Sequence, residues 1–290
     1  MRIVLAAGAL EAHVLPAAGG SIARLDRVET GARRPLLRGT DDDRARALDC
    51  GCFPLVPFCN RIRGGAFSFA GRSVRLTPNM PPDPSPIHGQ GWQGEWQVVA
   101  DSPAAVELRF DHDPGEWPWA YQARQVIALD PAGLSIELAC TNLSDEPMPC
   151  GLGLHPYYPC DSTTRLDTRV TGAWTVDADV LPVAHVPASG RYDLTDRAIC
   201  GQDLDNGFDG WSGVATIRWG DGMGLHLTSP DARFFQVFSP KEGGLFVAEP
   251  VSHANCALNA PEADWAQLGI VVLPPGSEQV LRARLEVVVT

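Results

Sequence analysis

The chain has 290 residues and a net charge of -12, from 35 acidic and 23 basic side chains. That balance repels phosphate backbones, and one lysine (Lys241) with scattered arginines makes no basic stripe, so nucleic-acid partners are discounted. No window approaches the roughly 20 apolar residues of a membrane-spanning helix, and a soluble, cytoplasmic protein is expected.

At the N-terminus, Arg2 and the apolar "IVLAAGAL" faintly imitate a secretory signal, but the run continues through Glu11 and His13 without a convincing cleavage site and reads as a first strand. "PAAGG" at 16–20 is a turn signal, as are "DPAG" at 130–133, "WGDGMG" at 219–224 and "PPG" at 274–276. "PLVPFCNRIRGG" then carries Asn60 and Arg61 into a turn. The Pro-rich segment 77–89 reads as a stiffened surface loop that presents His88 at its end. "LSIELACT" sends Leu134, Ile136, Leu138 and Cys140 one way and Ser135, Glu137 and Thr141 the other, which is strand period. In "GLGLHPYY", Pro156 lacks an N–H and is expected to end the pairing of its strand, turning His155 and Tyr157 toward a cleft. "LFVAEP" puts Glu249 at the end of an apolar strand, where an unpaired charge is expensive. The closing "VLRARLEVVV" alternates again.

Many short strands, with turns about every ten residues and no helical pattern beyond a turn or two, argue for an all-β antiparallel sandwich. No linker or repeat divides the chain, so residues 1–290 read as one domain. The eight cysteines are scattered, with no C-x-x-C pair, in a chain too large to need stapling; reduced, mostly buried thiols are expected.

Each polar residue picked out above has a plain alternative: a solvated arginine, a histidine capping a strand, a buried ion pair. Their combination is more specific. "PLVPFCNRIRGG", "IHGQGWQGEW", "GLGLHPYY", "DLDNGF" and "LFVAEP", in this order and with "VFSP" between the last two, resemble the motifs of the aldose 1-epimerase (mutarotase) family. The resemblance implies a large antiparallel β supersandwich whose cleft binds a monosaccharide. It implies Glu249 as general base, His155 as general acid, and Arg61, His88, Asn60 and Asp205 as sugar-contacting residues, with Asp203 and Asp209 competing for the role of Asp205. Glu-Pro-Val at the base and Leu-His-Pro-Tyr-Tyr at the acid depart from the galactose-converting members and look like a bacterial side branch, so galactose is not assumed.

The chemistry suits these residue types. Exchanging α and β anomers opens a cyclic hemiacetal: one group removes the C1 hydroxyl proton while another protonates the ring oxygen. A carboxylate, and a histidine kept protonated by nearby carboxylates, supply both without cofactor or metal. A bell-shaped pH profile with limbs at about pH 4 to 5 and about pH 7 is the corresponding expectation. Trp92, Trp96 or Tyr157 is a candidate platform beneath the sugar.

Three rivals stand beside this reading. A metal site of His88, His155 and Glu249 finds no support in spacing. A glycoside hydrolase would use Glu249 with Asp205 as its two carboxylates. A non-catalytic carbohydrate-binding protein would share the same cleft. "DLDNGFDG" is rejected as a calcium loop, because Phe208 stands where the turn glycine belongs and Val214 where the bidentate glutamate belongs. A monomer or homodimer is expected, with a monosaccharide as its partner.

Overall fold

In the computed structural model, which describes residues 1–30 and 32–289, the alternating segments form antiparallel strands, and the helical pieces are single 3-10 turns. Two sheets, of 11 and 9 strands, dominate. The 11-stranded sheet starts at the N-terminal hairpin (Ile3–Ala7, Leu10–Leu15) and Ser21–Glu29. It continues through Cys52–Leu55, Gly153–Pro159, Leu245–Val251, Phe234–Ser239, Leu204–Asp209, Gly172–Val176 and Pro182–Pro187, with Ala32–Leu37 paired to Ser21–Glu29 off this path. The 9-stranded sheet holds the long pair Gly133–Asn142 and Glu278–Val289 at its centre. Leu134, Ile136, Leu138 and Cys140 are buried, as are Leu281, Ala283 and Leu285, so the period-two reading fits. The fold is an antiparallel β supersandwich. Among the described residues, no helix is long and apolar enough to cross a membrane.

The middle strands of the large sheet are covered on both faces, which explains their near-continuous apolar sequence. Leu154 and Tyr158, Phe246 and Ala248, Phe235 and Val237, and Leu204 and Phe208 join the apolar core shared with the second sheet. Residues of the opposite parity belong to a smaller cluster built around Phe53, Leu55, Trp92, Tyr157, Phe234, Val247 and Val251. The polar exceptions His155, Glu249, Gln236 and Asp205 all have this second parity. A slip of one residue in any of these strands would drive a polar group into the main core.

Two expectations are corrected. The His155 strand does not stop at Pro156 but runs Gly153–Pro159. Its recorded pairs with Leu245–Val251 are Gly153 with Val251 and Tyr157 with Val247 onward, leaving the ladder open between them. Pro156 and Pro250, which have no N–H to give, lie in that gap, so proline here opens a ladder without ending a strand. The thiols are not all reduced either: Cys160 and Cys200, 40 residues apart, form a disulfide, while the six other cysteines are free and buried. Cys160 follows the His155 strand and Cys200 follows Arg197–Ala198, a proximity created by the fold.

Candidate active site

Register brings the polar residues into line. The pairs on both sides of the open ladder share one register, so His155 faces Glu249 across it. Glu249 is paired with Gln236 on its other side, Gln236 with Gly207, and His155 with Phe53. One row across neighbouring strands therefore reads Phe53, His155, Glu249, Gln236, Gly207, and the row beside it carries Tyr157, Val247, Phe238 and Asp205. His155 Nε2 lies 3.4 Å from Glu249 Oε1. The His155 ring stacks on Phe53 at 4.5 Å and meets Tyr157 at 4.7 Å and His88 at 5.3 Å. Glu249 Oε2 and His155 Nδ1 are buried without a protein hydrogen-bond partner.

His88 and Asn60 both adopt left-handed backbone, with φ of 65° and 56°. They lock each other: the Asn60 amide donates to His88 Nδ1 at 3.1 Å, and the His88 amide donates to the Asn60 carbonyl at 3.0 Å. With Nδ1 accepting, a neutral His88 carries its proton on Nε2 and presents a donor. Gly89 is obligatory beside it, because a Cβ there would lie 2.1 Å from the Val56 carbonyl oxygen. Arg61 Nε donates to Asp83 Oδ2 at 2.8 Å and its Nη1 to Asn60 Oδ1 at 3.1 Å. Segment 77–89 is thus more than a surface loop: Asp83 within it fixes the arginine. Asp205 accepts from Gln236 Nε2 at 2.7 Å. Asp209 instead pairs with His185 at 2.9 Å, and Asp203 is exposed ahead of the strand, so Asp205 is the aspartate of the three that joins the row.

Burial dominates the electrostatics. It pushes the Glu249 carboxyl well above the usual carboxylate range, aided by Asp205 and opposed by Arg61. It pushes His155 down to about 3, with Arg38 adding to the effect, and His88 well below its ordinary value. Asp205 is raised to about 6, again chiefly by burial. The expectation of a histidine held protonated by neighbouring carboxylates is therefore corrected: desolvation disfavours the charged form of both groups, so burial opposes the imidazolium.

Of the expected aromatic platforms, Trp92 stacks on Phe53 at 5.6 Å and Tyr157 lies against His155, both on the cleft side. Trp96 is buried in the main core and cannot serve. A cavity of about 480 Å³, lined by Ala47, Leu48, Met80 and Trp92 among others, adjoins the cluster without including His155 or Glu249. Another, of about 360 Å³, is lined by Asp205 and Phe238 among others. The fold brings His88, His155 and Glu249 together, yet among the described residues no three His, Cys, Asp or Glu side chains are disposed to hold a metal ion.

A family model, aldose 1-epimerase, matches residues 1–278. The chain belongs to the aldose 1-epimerase family. It is 32% identical over 254 residues to the uncharacterized protein YphB of Escherichia coli K12, covering 83% of this chain and 85% of that protein. A crystal structure from the same organism, provisionally assigned as an aldose 1-epimerase, superposes with a TM-score of 0.89 at 30% identity, covering 100% of this chain and 99% of that one. A galactose mutarotase-like protein from Clostridium acetobutylicum shares the fold, with a TM-score of 0.86 at 19% identity over 100% and 95% of the two chains.

Sequence reasoning missed four members of this candidate site. Asp83 accepts from Arg61, Gln236 donates to Asp205, and His253 Nε2 accepts the Cys59 amide at 2.8 Å, fixing the turn that carries Asn60. The fourth, Arg38, lies over Tyr157 with its guanidinium carbon 3.6 Å from the ring centroid. Gln236 had a usable signal, as the cleft-parity polar residue in "FFQVF"; Arg38 and Asp83 had none.

Proposed function

We propose that this protein interconverts the α and β anomers of an aldose by general acid-base catalysis. The carrying observation is the facing pair, Glu249 and His155, 3.4 Å apart on adjacent strands and ringed by His88, Arg61 and Asp205. Glu249 takes the proton of the C1 hydroxyl; the O–H pair becomes the C1 carbonyl π bond, the bond from C1 to the ring oxygen breaks, and His155 protonates that oxygen. Rotation about C1–C2 and the reverse transfers close the ring on the other face. The working arrangement, carboxylate with imidazolium, carries the same single proton as the resting arrangement, carboxyl with imidazole, so it needs only a transfer within the pair. Arg61, His88 and Asp205 orient the hydroxyls, with Asn60 holding His88 and Arg61 in place.

NMR exchange spectroscopy on freshly dissolved aldoses tests this. Glu249→Gln is expected to lower kcat by about 10²- to 10⁴-fold, the usual worth of such catalysis, while sugar affinity is retained. Equal rates in both proteins would overturn the mechanism. Sugar release from a glycoside would favour hydrolysis, and binding without exchange in the wild type would favour a binding module.

A further inference from the structure

We propose that the sugar is anionic: an aldose with an acidic group on the exocyclic carbon borne by C5, held by Arg38. The inference rests on the anomerase reading above. Of the arginines nearest the pair, Arg61 is already matched by Asp83, their side chains only 11% and 10% exposed. Arg63 points away, donating to the Pro182 carbonyl at 2.7 Å. Arg38 is partly buried and, among the described residues, has no carboxylate within salt-bridge reach, although acidic residues outnumber basic ones by 35 to 23.

Its cation is also held in advance. Arg38 Nε and Nη2 donate to the Cys50 carbonyl at 3.2 and 2.6 Å, Nη2 also donates to the Leu48 carbonyl, and the plane rests on Tyr157. Nη1 is the nitrogen left for a ligand, and a guanidinium already ordered loses little freedom on binding.

Position supplies the substrate class. The ring oxygen that receives the His155 proton is bonded to C1 and C5. With C1 turned to Glu249 and Phe53 stacked on His155 opposite, the C5 arm is directed along the strand, into the row beside. There stand Tyr157, 4.7 Å from the His155 ring, and Arg38 above it. An anionic oxygen on that arm meets the unpaired guanidinium in a charge-assisted hydrogen bond. One guanidinium suits a monoanionic carboxylate, as in a hexuronate, and a 6-phosphate presents the same chemistry with more charge. The influence of Arg38 on the His155 ring accords with this proximity.

Exchange spectroscopy on matched pairs, glucose with glucuronate and galactose with galacturonate, plus glucose 6-phosphate, reads the proposal directly. Wild type should favour the acidic member of a pair in kcat/KM by about tenfold or more, the size of one charge-assisted hydrogen bond, and added salt should shrink the ratio. Arg38→Gln should bring the ratio toward one, and Arg38→Lys should keep part of it. A larger rate for the 6-phosphate than for the uronate would keep the anionic class and name phosphate as its source. Neutral sugars turned over as well as acidic ones, or a ratio unchanged in Arg38→Gln, would overturn the role of Arg38. Should Arg38→Gln fail to fold, Arg38→Lys and the salt dependence of the wild type decide. Affinities for glucuronate and glucose, titrated by NMR, test Arg38 apart from turnover, whereas absence of exchange with every sugar would strike the anomerase reading instead.

Discussion

Glu249 and His155 show how burial reorders acid-base chemistry. In water the pair would hold a carboxylate and leave the imidazole to titrate near neutrality; in the cleft both prefer the uncharged form. On the proposed mechanism the pair stays singly protonated between the depressed histidine and the raised glutamic acid. A second proton is added only as pH falls toward about 3, and the shared proton is lost only as pH rises above the usual carboxylate range. The plateau of kcat is therefore expected to reach further to the acid side than the limb of unperturbed groups at about pH 4 to 5, with its alkaline limb set by Glu249 and not by His155. Asp205 adds a separate limb. Burial raises its carboxyl to about 6, so in the proposed role its acceptor for sugar hydroxyls is lost as pH falls through that value. We expect kcat/KM to decline on the acid side near pH 6 through KM, and Asp205→Asn to remove that limb while weakening sugar binding more than kcat. A profile unchanged by Asp205→Asn would remove Asp205 from substrate binding.

Within a strand, parity separates stability from chemistry. Leu154 and His155 are neighbours on Gly153–Pro159, one in the shared core and one in the cleft. Leu154→Ala opens a cavity in a site that is 2% exposed and should cost about 2 to 5 kcal/mol of stability, read by denaturant unfolding, with kcat little changed in the folded fraction. His155→Ala should instead abolish most anomer exchange at far smaller cost in stability, because it removes a buried polar group with an unpartnered nitrogen. If the two substitutions gave the same balance of effects, the division of the strand between core and cleft would be wrong. The open ladder belongs to this scale too. Pro156 and Pro250 remove donors where His155 and Glu249 face each other, so strand continuity is kept while the backbone between the pair stays unbridged.

Across the molecule, the Cys160–Cys200 bond ties the end of the His155 strand to the segment that leads into the Asp205 strand. Closing a loop of 40 residues is worth about 4 kcal/mol in the chain-entropy account. A thiol reductant is expected to lower the Tm of the wild type and to leave that of Cys200→Ser unchanged. Equal sensitivity in both proteins would mean that the bond does not form in solution. The remaining thiols should stay inert, since burial pushes those of Cys50 and Cys256 up to about 11.

How much was legible beforehand follows from the range of each interaction. Period two in "LSIELACT" and "VLRARLEVVV" is a local property of the chain, so strands, turns and an all-β sandwich could be read directly. Asn60, Arg61, His88, His155, Asp205 and Glu249 stood out as polar residues in apolar or turn-rich settings, and their order carried the family resemblance. Sequence by itself thus determined the architecture and the set of candidate groups. Only the tertiary structure decided their partners and their surroundings: that His155 faces Glu249, that Asp83 takes Arg61, that Cys160 meets Cys200, and that Arg38, among the described residues, has no carboxylate within salt-bridge reach beside Tyr157. The physical reason is that register, desolvation and pairing depend on segments tens to hundreds of residues apart, whose proximity no local pattern encodes.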